Sequence, residues 1–169
     1  MSDVLKPNGD NNAMPPGDFQ GPMPRVQIVG QYVKDLSFEN PGAPLSLTSR
    51  PQIELGVDLQ ARQLDPERYE VELKLRVTAK TEDKTAFMLE LVYAGLFLIQ
   101  NAPPELLQPI LLIEGPHILF PFARRIVADV IRDGGMPPLM IEPIDFASLY
   151  RSKTGQNPGQ PVAPAPQMV

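Results

Sequence analysis

The sequence predicts an α+β domain: a four-stranded antiparallel sheet with helices packed on one face. Three observations carry that expectation. Successive runs alternate apolar and polar residues with a period of two, as half-buried strands do. One long segment, Gly115 to Leu139, holds the clearest helical period. Proline and glycine concentrate at the two ends of the chain and outside the periodic runs.

The ends bound the domain. Proline makes up 21 of the 169 residues. Residues 1–24 are rich in Pro, Gly, Asn and Asp, and residues 154–169 in Pro, Gly and Gln. Such segments bury too little apolar surface to offset their ordering entropy, so both are expected to be disordered. The folded domain is then residues 25–153.

Four strands follow in order. In the first, Val26, Ile28, Tyr32, Leu36 and Phe38 fall on even positions and are assigned to the packed face, with Gln27, Gln31, Asp35 and Ser37 opposite. Val29, Val33 and Lys34 break that pattern. The second, Ile53 to Ala61, and the third, Tyr69 to Ala79, alternate cleanly. The polar link Glu82-Asp83-Lys84 has hairpin spacing and leads to the fourth, Thr85 to about Ile99. Here Phe87, Leu89, Leu91 and Tyr93 continue the packed face, while Met88, Val92 and Ala94 make the other face apolar too, with Glu90 among them. A strand apolar on both faces needs cover on both, either from a loop or from a second subunit.

The helices come last. Ala102-Pro103-Pro104-Glu105 opens a short helical piece, with proline suited to a first turn and glutamate to the positive end of the helix dipole. Pro109 and Gly115-Pro116 are expected to interrupt it. The main helix runs from about His117 to Arg132, with Ile118, Phe122, Ile126 and Val130 at four-residue spacing. Gly134-Gly135 stops it. Asp145 caps a last helix, Phe146 to Lys153.

Composition excludes several classes of function. The chain has no cysteine and one histidine, so neither disulfides nor thiolate metal sites are available, and no metal or cofactor is expected. A net charge of −5 argues against nucleic acid and anionic lipid as partners. No apolar run approaches the length of a membrane span, and the start of the chain lacks a signal-peptide layout, so a cytoplasmic protein is expected, with no membrane insertion. His117 has no carboxylate or serine at a spacing that would make it a base. There is no nucleophile elbow, phosphate loop or dinucleotide fingerprint. The residues therefore read as a binding protein rather than an enzyme. Phe87, Phe120, Phe122, Phe146 and Tyr150 come from the elements that would border a groove beside the main helix, although aromatics at such spacings also suit a core. Met88, Met136 and Met140 are adaptable side chains of the kind that serve promiscuous surfaces.

Four motifs, in order and in register, carry a resemblance: Gln31-Tyr-Val-Lys-Asp-Leu-Ser-Phe-Glu-Asn-Pro41, Leu119-Phe-Pro-Phe-Ala-Arg124, Asp133-Gly-Gly-Met-Pro-Pro-Leu139 and Ile141-Glu-Pro-Ile-Asp-Phe-Ala-Ser-Leu-Tyr150. Together they resemble the bacterial protein-export chaperone family SecB over about Val26 to Arg151. The resemblance implies a homotetramer, built as a dimer of dimers. It also implies an ATP-independent chaperone that holds unfolded preproteins in surface grooves and delivers them to the SecA translocation ATPase. Positions matching the family's SecA-binding residues are Asp35, Glu39, Met88 and Glu90. Groove aromatics match Phe87, Phe122 and Tyr150, and tetramer contacts fall around Leu89, Leu91 and Tyr93. Two features depart from the family: residues 45–51 carry no aromatic, and the C-terminal tail is uncharged. The competing reading is a hot-dog-like acyl-CoA thioesterase or acyl-binding protein, for which no clean set of catalytic residues is present.

Overall fold

In the computed structural model of the chain, which describes residues 22–43, 50–81 and 84–155, the four expected strands form one antiparallel sheet. They are β1 (Arg25–Glu39), β2 (Gln52–Gln63), β3 (Arg68–Lys80) and β4 (Thr85–Gln100). The order, which the sequence leaves open, is β1-β4-β3-β2. The chain leaving β1 must therefore pass three strand spacings, about 14 Å, to begin β2. Most of the two terminal segments expected to be disordered lies outside the described residues, as do residues 44–49 of the β1–β2 connection.

Alternation fixes the faces of three strands as expected. Leu91 of β4 pairs with Leu75 of β3, Leu75 with Val57 of β2, and Leu36 of β1 with Leu91, which makes one apolar row across the sheet. On the opposite face the next row is Asp35, Val92, Lys74 and Asp58. β1 departs from the simple pattern. Its register slips between Ile28 and Gly30 and again between Val33 and Asp35, so Val29 and Lys34 are bulge residues. Each bulge inserts one residue and inverts the alternation after it. Gln31 and Val33 consequently lie opposite Gly95 and Tyr93 on the packed face. Tyr32 lies opposite Ala94 on the open face, not on the packed face to which even-position counting assigned it.

The helical region also departs from expectation. Pro109 and Gly115-Pro116 do not break it. The chain stays helical through α1 (Pro104–Pro109), a π-helical turn (Ile110–Glu114) and α2 (Gly115–Asp133). Proline inside a helix removes one N–H and crowds the preceding turn. The π turn absorbs this by lengthening the hydrogen-bonded loop, the Gly115 amide donating to the Ile110 carbonyl. The joined helix is long and apolar enough to cross a membrane by length and composition alone, so the expectation that no run approaches that length does not hold. In this fold it is the core helix: Leu111, Leu119, Ala123, Val127 and Ile131 are buried against the sheet.

α2 lies over β3 and β4, and the π turn over β2 and β3. Close seating depends on Gly95, where an added Cβ would come within 2.8 Å of both Leu119 Cδ2 and Phe97 Cε2. At the far end α2 closes in a Schellman turn. Gly135 takes φ 85°, its amide donates to the Arg132 carbonyl, and the Met136 amide donates to the Ile131 carbonyl. The last helix, α3 (Phe146–Lys153), forms where expected, with the Asp145 carboxylate accepting from the Ser148 amide at 2.9 Å.

Replacing Gly95 by alanine forces Leu119 and Phe97 apart beneath α2. The expected cost is about 1–3 kcal/mol of stability, read as a lower urea midpoint with unchanged slope; an unchanged midpoint would show that α2 can lift without loss.

Candidate functional site

The surfaces available for binding are set by what the helices leave bare. β1 is an edge strand, and among the described residues no helix covers its half of the packed face before Phe38, which packs against the turn after α2. Val26, Ile28, Val29, Val33 and Leu36 are all exposed, Val29 to 54% and Val33 to 45%. Phe122 of α2, 45% exposed, stacks on Tyr93 with ring centroids 6.4 Å apart, and the Tyr93 hydroxyl donates to Gln31 of β1 at 3.3 Å. Phe122 thus extends the apolar strip of β1.

The residues expected at a tetramer contact do not form that strip. Leu89 and Leu91 are buried under the helix of their own chain, and Tyr93 is nearly so. Side chains already packed at core density have no surface left for a second copy. The uncovered apolar area expected on β4 is instead largely on its neighbour β1.

Four of the five aromatics expected to line one groove fall into three separate ring pairs. Phe87 is fully buried and meets Phe38 at 6.0 Å. Phe120 and Phe146 are buried edge to face, centroids 6.0 Å apart, and fix α3 against α2, with the Arg124 guanidinium 5.7 Å from the Phe120 ring centre. Of the five, only Phe122 and Tyr150 reach the surface. Phe87, Phe120 and Phe146 are core side chains and expose no contact surface. Beside α3, Leu149 and Tyr150 are half-buried and Met140 is exposed. Of residues 45–51, the segment without an aromatic, 45–49 lie outside the described residues.

Asp35, Glu39, Met88 and Glu90 do come together. Glu39 pairs with Met88, Ser37 with Glu90 and Asp35 with Val92, which places the four on adjacent rows of the open face. Their charges are not equivalent. Glu90 is held by Lys74 at 2.7 Å and Arg76 at 2.8 Å, and these two cations, Lys74 first, lower its carboxyl pKa below the usual value. Asp35 and Glu39 make no ion pair with another described residue. The uncompensated negative charge of the patch is therefore theirs.

Next to the patch lies a cluster that sequence reasoning missed, because even-position counting assigned Tyr32 to the packed face. Glu70 is 4% exposed. Its carboxylate accepts from the Tyr32 hydroxyl, from Lys34 Nζ at 2.9 Å and from Arg62 Nη2 at 2.7 Å. Lys34 also donates to Glu72. The Tyr32 hydrogen bond first, then Lys34 and Arg62, lower the Glu70 carboxyl from 4.5 to about 2 against the opposing effect of burial. The same hydrogen bond raises the Tyr32 phenol. Broken alternation at Val29, Val33 and Lys34 was the signal available in sequence.

Comparison with known proteins places this geometry in context. The family profile described as "Preprotein translocase subunit SecB" matches residues 20–157. The protein-export protein SecB of Zymomonas mobilis is 52% identical over 136 residues, 79% of this chain and 83% of the relative. That of Parvibaculum lavamentivorans is 46% identical over 169 residues, 98% of this chain and 99% of the relative. Among solved structures, the SecB-like chaperone of Mycobacterium tuberculosis, in complex with an antitoxin peptide, has the same fold at a TM-score of 0.61 and 19% identity, covering 71% of this chain and 91% of that one.

The Glu70 cluster has a definite pH signature. A carboxyl with a folded value below its unfolded one stabilises fully above the unfolded value, and that contribution fades as pH falls toward the folded one. Urea unfolding of the wild type and Glu70→Gln should differ most at neutral pH. The difference should shrink between about pH 4.5 and pH 2 as the unfolded and then the folded carboxyl protonates; a gap that persists at pH 2 would show that ionisation of Glu70 is not its source.

Proposed function

The chain belongs to the SecB family of protein-export chaperones, and from that premise we propose that it holds unfolded preproteins in the cytoplasm and passes them to the SecA ATPase. The observation that carries this reading is the 46% identity to a protein-export protein SecB over 98% of the chain. It favours the export chaperone over the acyl-CoA thioesterase alternative.

The client surface in this reading runs along α3. Tyr150, Leu149 and Met140 offer apolar contacts without a fixed hydrogen-bond pattern, over a floor made by the Phe120–Phe146 pair. Many shallow apolar contacts bind unfolded chain with little sequence preference, and a folded protein hides the segments that would make them.

SecA docks on the open face through Asp35, Glu39, Met88 and Glu90. Asp35 and Glu39 supply charge to a basic partner surface, Met88 supplies an adaptable apolar contact, and Glu90, already paired, anchors Lys74 and Arg76. Nucleotide hydrolysis belongs to the partner, so the chaperone itself needs no cofactor.

Assembly to a tetramer, a dimer of dimers, uses the strip that β1 and Phe122 expose. An edge strand of 15 residues with a bare aliphatic face is an invitation to pair with a second copy. Burying each half-exposed aliphatic side chain contributes on the order of 1 kcal/mol. Several copies also let one client engage several sites at once, which raises avidity without tighter individual contacts.

Two measurements test these surfaces separately. Asp35→Lys with Glu39→Lys should weaken SecA binding by about tenfold or more while leaving capture of an unfolded preprotein intact in an aggregation-suppression assay; equal loss of both would merge the two surfaces into one. Val33→Asp with Leu36→Asp should convert a tetramer, as read by light scattering, to smaller species. A tetramer that survives both charges on β1 would move the interface elsewhere.

A further inference from the structure

The bulge in β1 sets two neighbours of opposite charge on one face. In a regular strand Lys34 and Asp35 would point to opposite sides. The slip between Val33, which pairs with Tyr93, and Asp35, which pairs with Val92, leaves both on the open face. A flexible lysine beside an aspartate on a wet surface would partner it and cancel its charge. Lys34 does not. Its side chain runs the other way, across β4, and its ammonium is held by Glu70 and Glu72 of β3.

The passage across β4 has a structural reason. Ala94 is the residue that lies between Tyr32 and Glu72 in the cross-strand row. Its neighbours on that face of β4 are Val92 and Leu96, either of which is larger. The small side chain leaves room for Tyr32 and Lys34 to lie over the strand and reach β3. Glu70 is then fixed from three sides, by Tyr32, Lys34 and Arg62, and is too buried to meet a partner itself.

We infer that Glu70 and Glu72 are positioning residues for the docking face: by holding Lys34 across the sheet, they keep the Asp35 carboxylate uncompensated and available to a basic partner surface. This rests on the reading of Asp35 and Glu39 as the docking patch. The two glutamates act through Lys34. They touch neither SecA nor client.

The test is a rescue. Binding of purified SecA is measured by calorimetry at several salt concentrations for the wild type, Glu70→Gln/Glu72→Gln, and that double variant with Lys34→Met added. Circular dichroism and light scattering confirm fold and assembly in each, and Glu72→Gln alone provides a milder release of Lys34 should the double variant be unstable. Releasing Lys34 onto Asp35 should weaken SecA binding by about fivefold, as expected for a surface charge pair, and flatten its salt dependence. Adding Lys34→Met should restore the wild-type affinity, although it removes one more member of the cluster. A loss that Lys34→Met does not restore would overturn the inference, since the glutamates would then act through the fold. So would an unchanged affinity in the double variant while Asp35→Lys still weakens binding; in that case the docking patch stands without its positioning residues. If Asp35→Lys itself has no effect, the patch reading fails and takes the inference with it.

Discussion

One helix cannot cover four strands. An α-helix with its side chains is about 10 Å across, and neighbouring strands are about 4.8 Å apart, so a single helix shields roughly two of them. α2 is seated over β3 and β4, where Gly95 lets Leu119 approach. Among the described residues, β1 has over its packed face little more than the turn that closes α2, where Phe38 packs against Gly134, and the other face of the sheet carries no layer. The exposed apolar and charged surfaces of the sheet follow from that shortfall. A fully covered sheet of the same sequence pattern would have a better protected core and less to bind with.

The bare strand carries its own corrections. β1 is long, aliphatic and at an edge, the combination most prone to indiscriminate pairing. Its two bulges increase the local twist and break the run of regular backbone hydrogen bonds, which limits the registers a second strand can adopt. The same bulges turn Tyr32 and Lys34 onto the open face, where they meet Glu70 and Glu72. Edge protection and the polar cluster are two consequences of the same pair of inserted residues.

The parts of the fold that were legible in sequence are those set by local pattern. Clean alternation in β2 and β3 fixed their faces, and Asp145 with Phe146 to Lys153 marked α3 to the residue. The motifs carried the family, and with it the open-face patch, whose four members do share adjacent rows. What the sequence withheld depends on other parts of the chain. Val29 and Lys34 were visible as breaks in the pattern, but whether a break is a bulge or an irregular end is decided by the partner strand. Pro109 and Pro116 read as helix breakers because the cost of a missing amide is local, whereas the packing that keeps the helix running through a π turn is not. Burial misled in the same way: Leu89, Leu91, Phe87, Phe120 and Phe146 have the apolar character of a contact surface, and only the position of α2 and α3 makes them core.

Net charge is a weak guide to where a partner docks, and this sheet shows why. Charges separated by more than about 8–10 Å are largely screened at physiological salt, so a partner senses the local arrangement rather than the total of −5. Across β2 and β3 the open face is rich in charge yet balanced: Glu54 pairs with Lys80, Glu90 with Lys74 and Arg76, and Glu70 with Lys34 and Arg62. A basic surface approaching there would have to displace a cation for each carboxylate it engaged. Toward β1 the balance ends, with Asp35 and Glu39 left without an ion pair among the described residues. The unpaired carboxylates of this face therefore lie on the strand whose other side exposes aliphatic side chains, so charge and apolar surface occupy opposite faces of the same 15 residues.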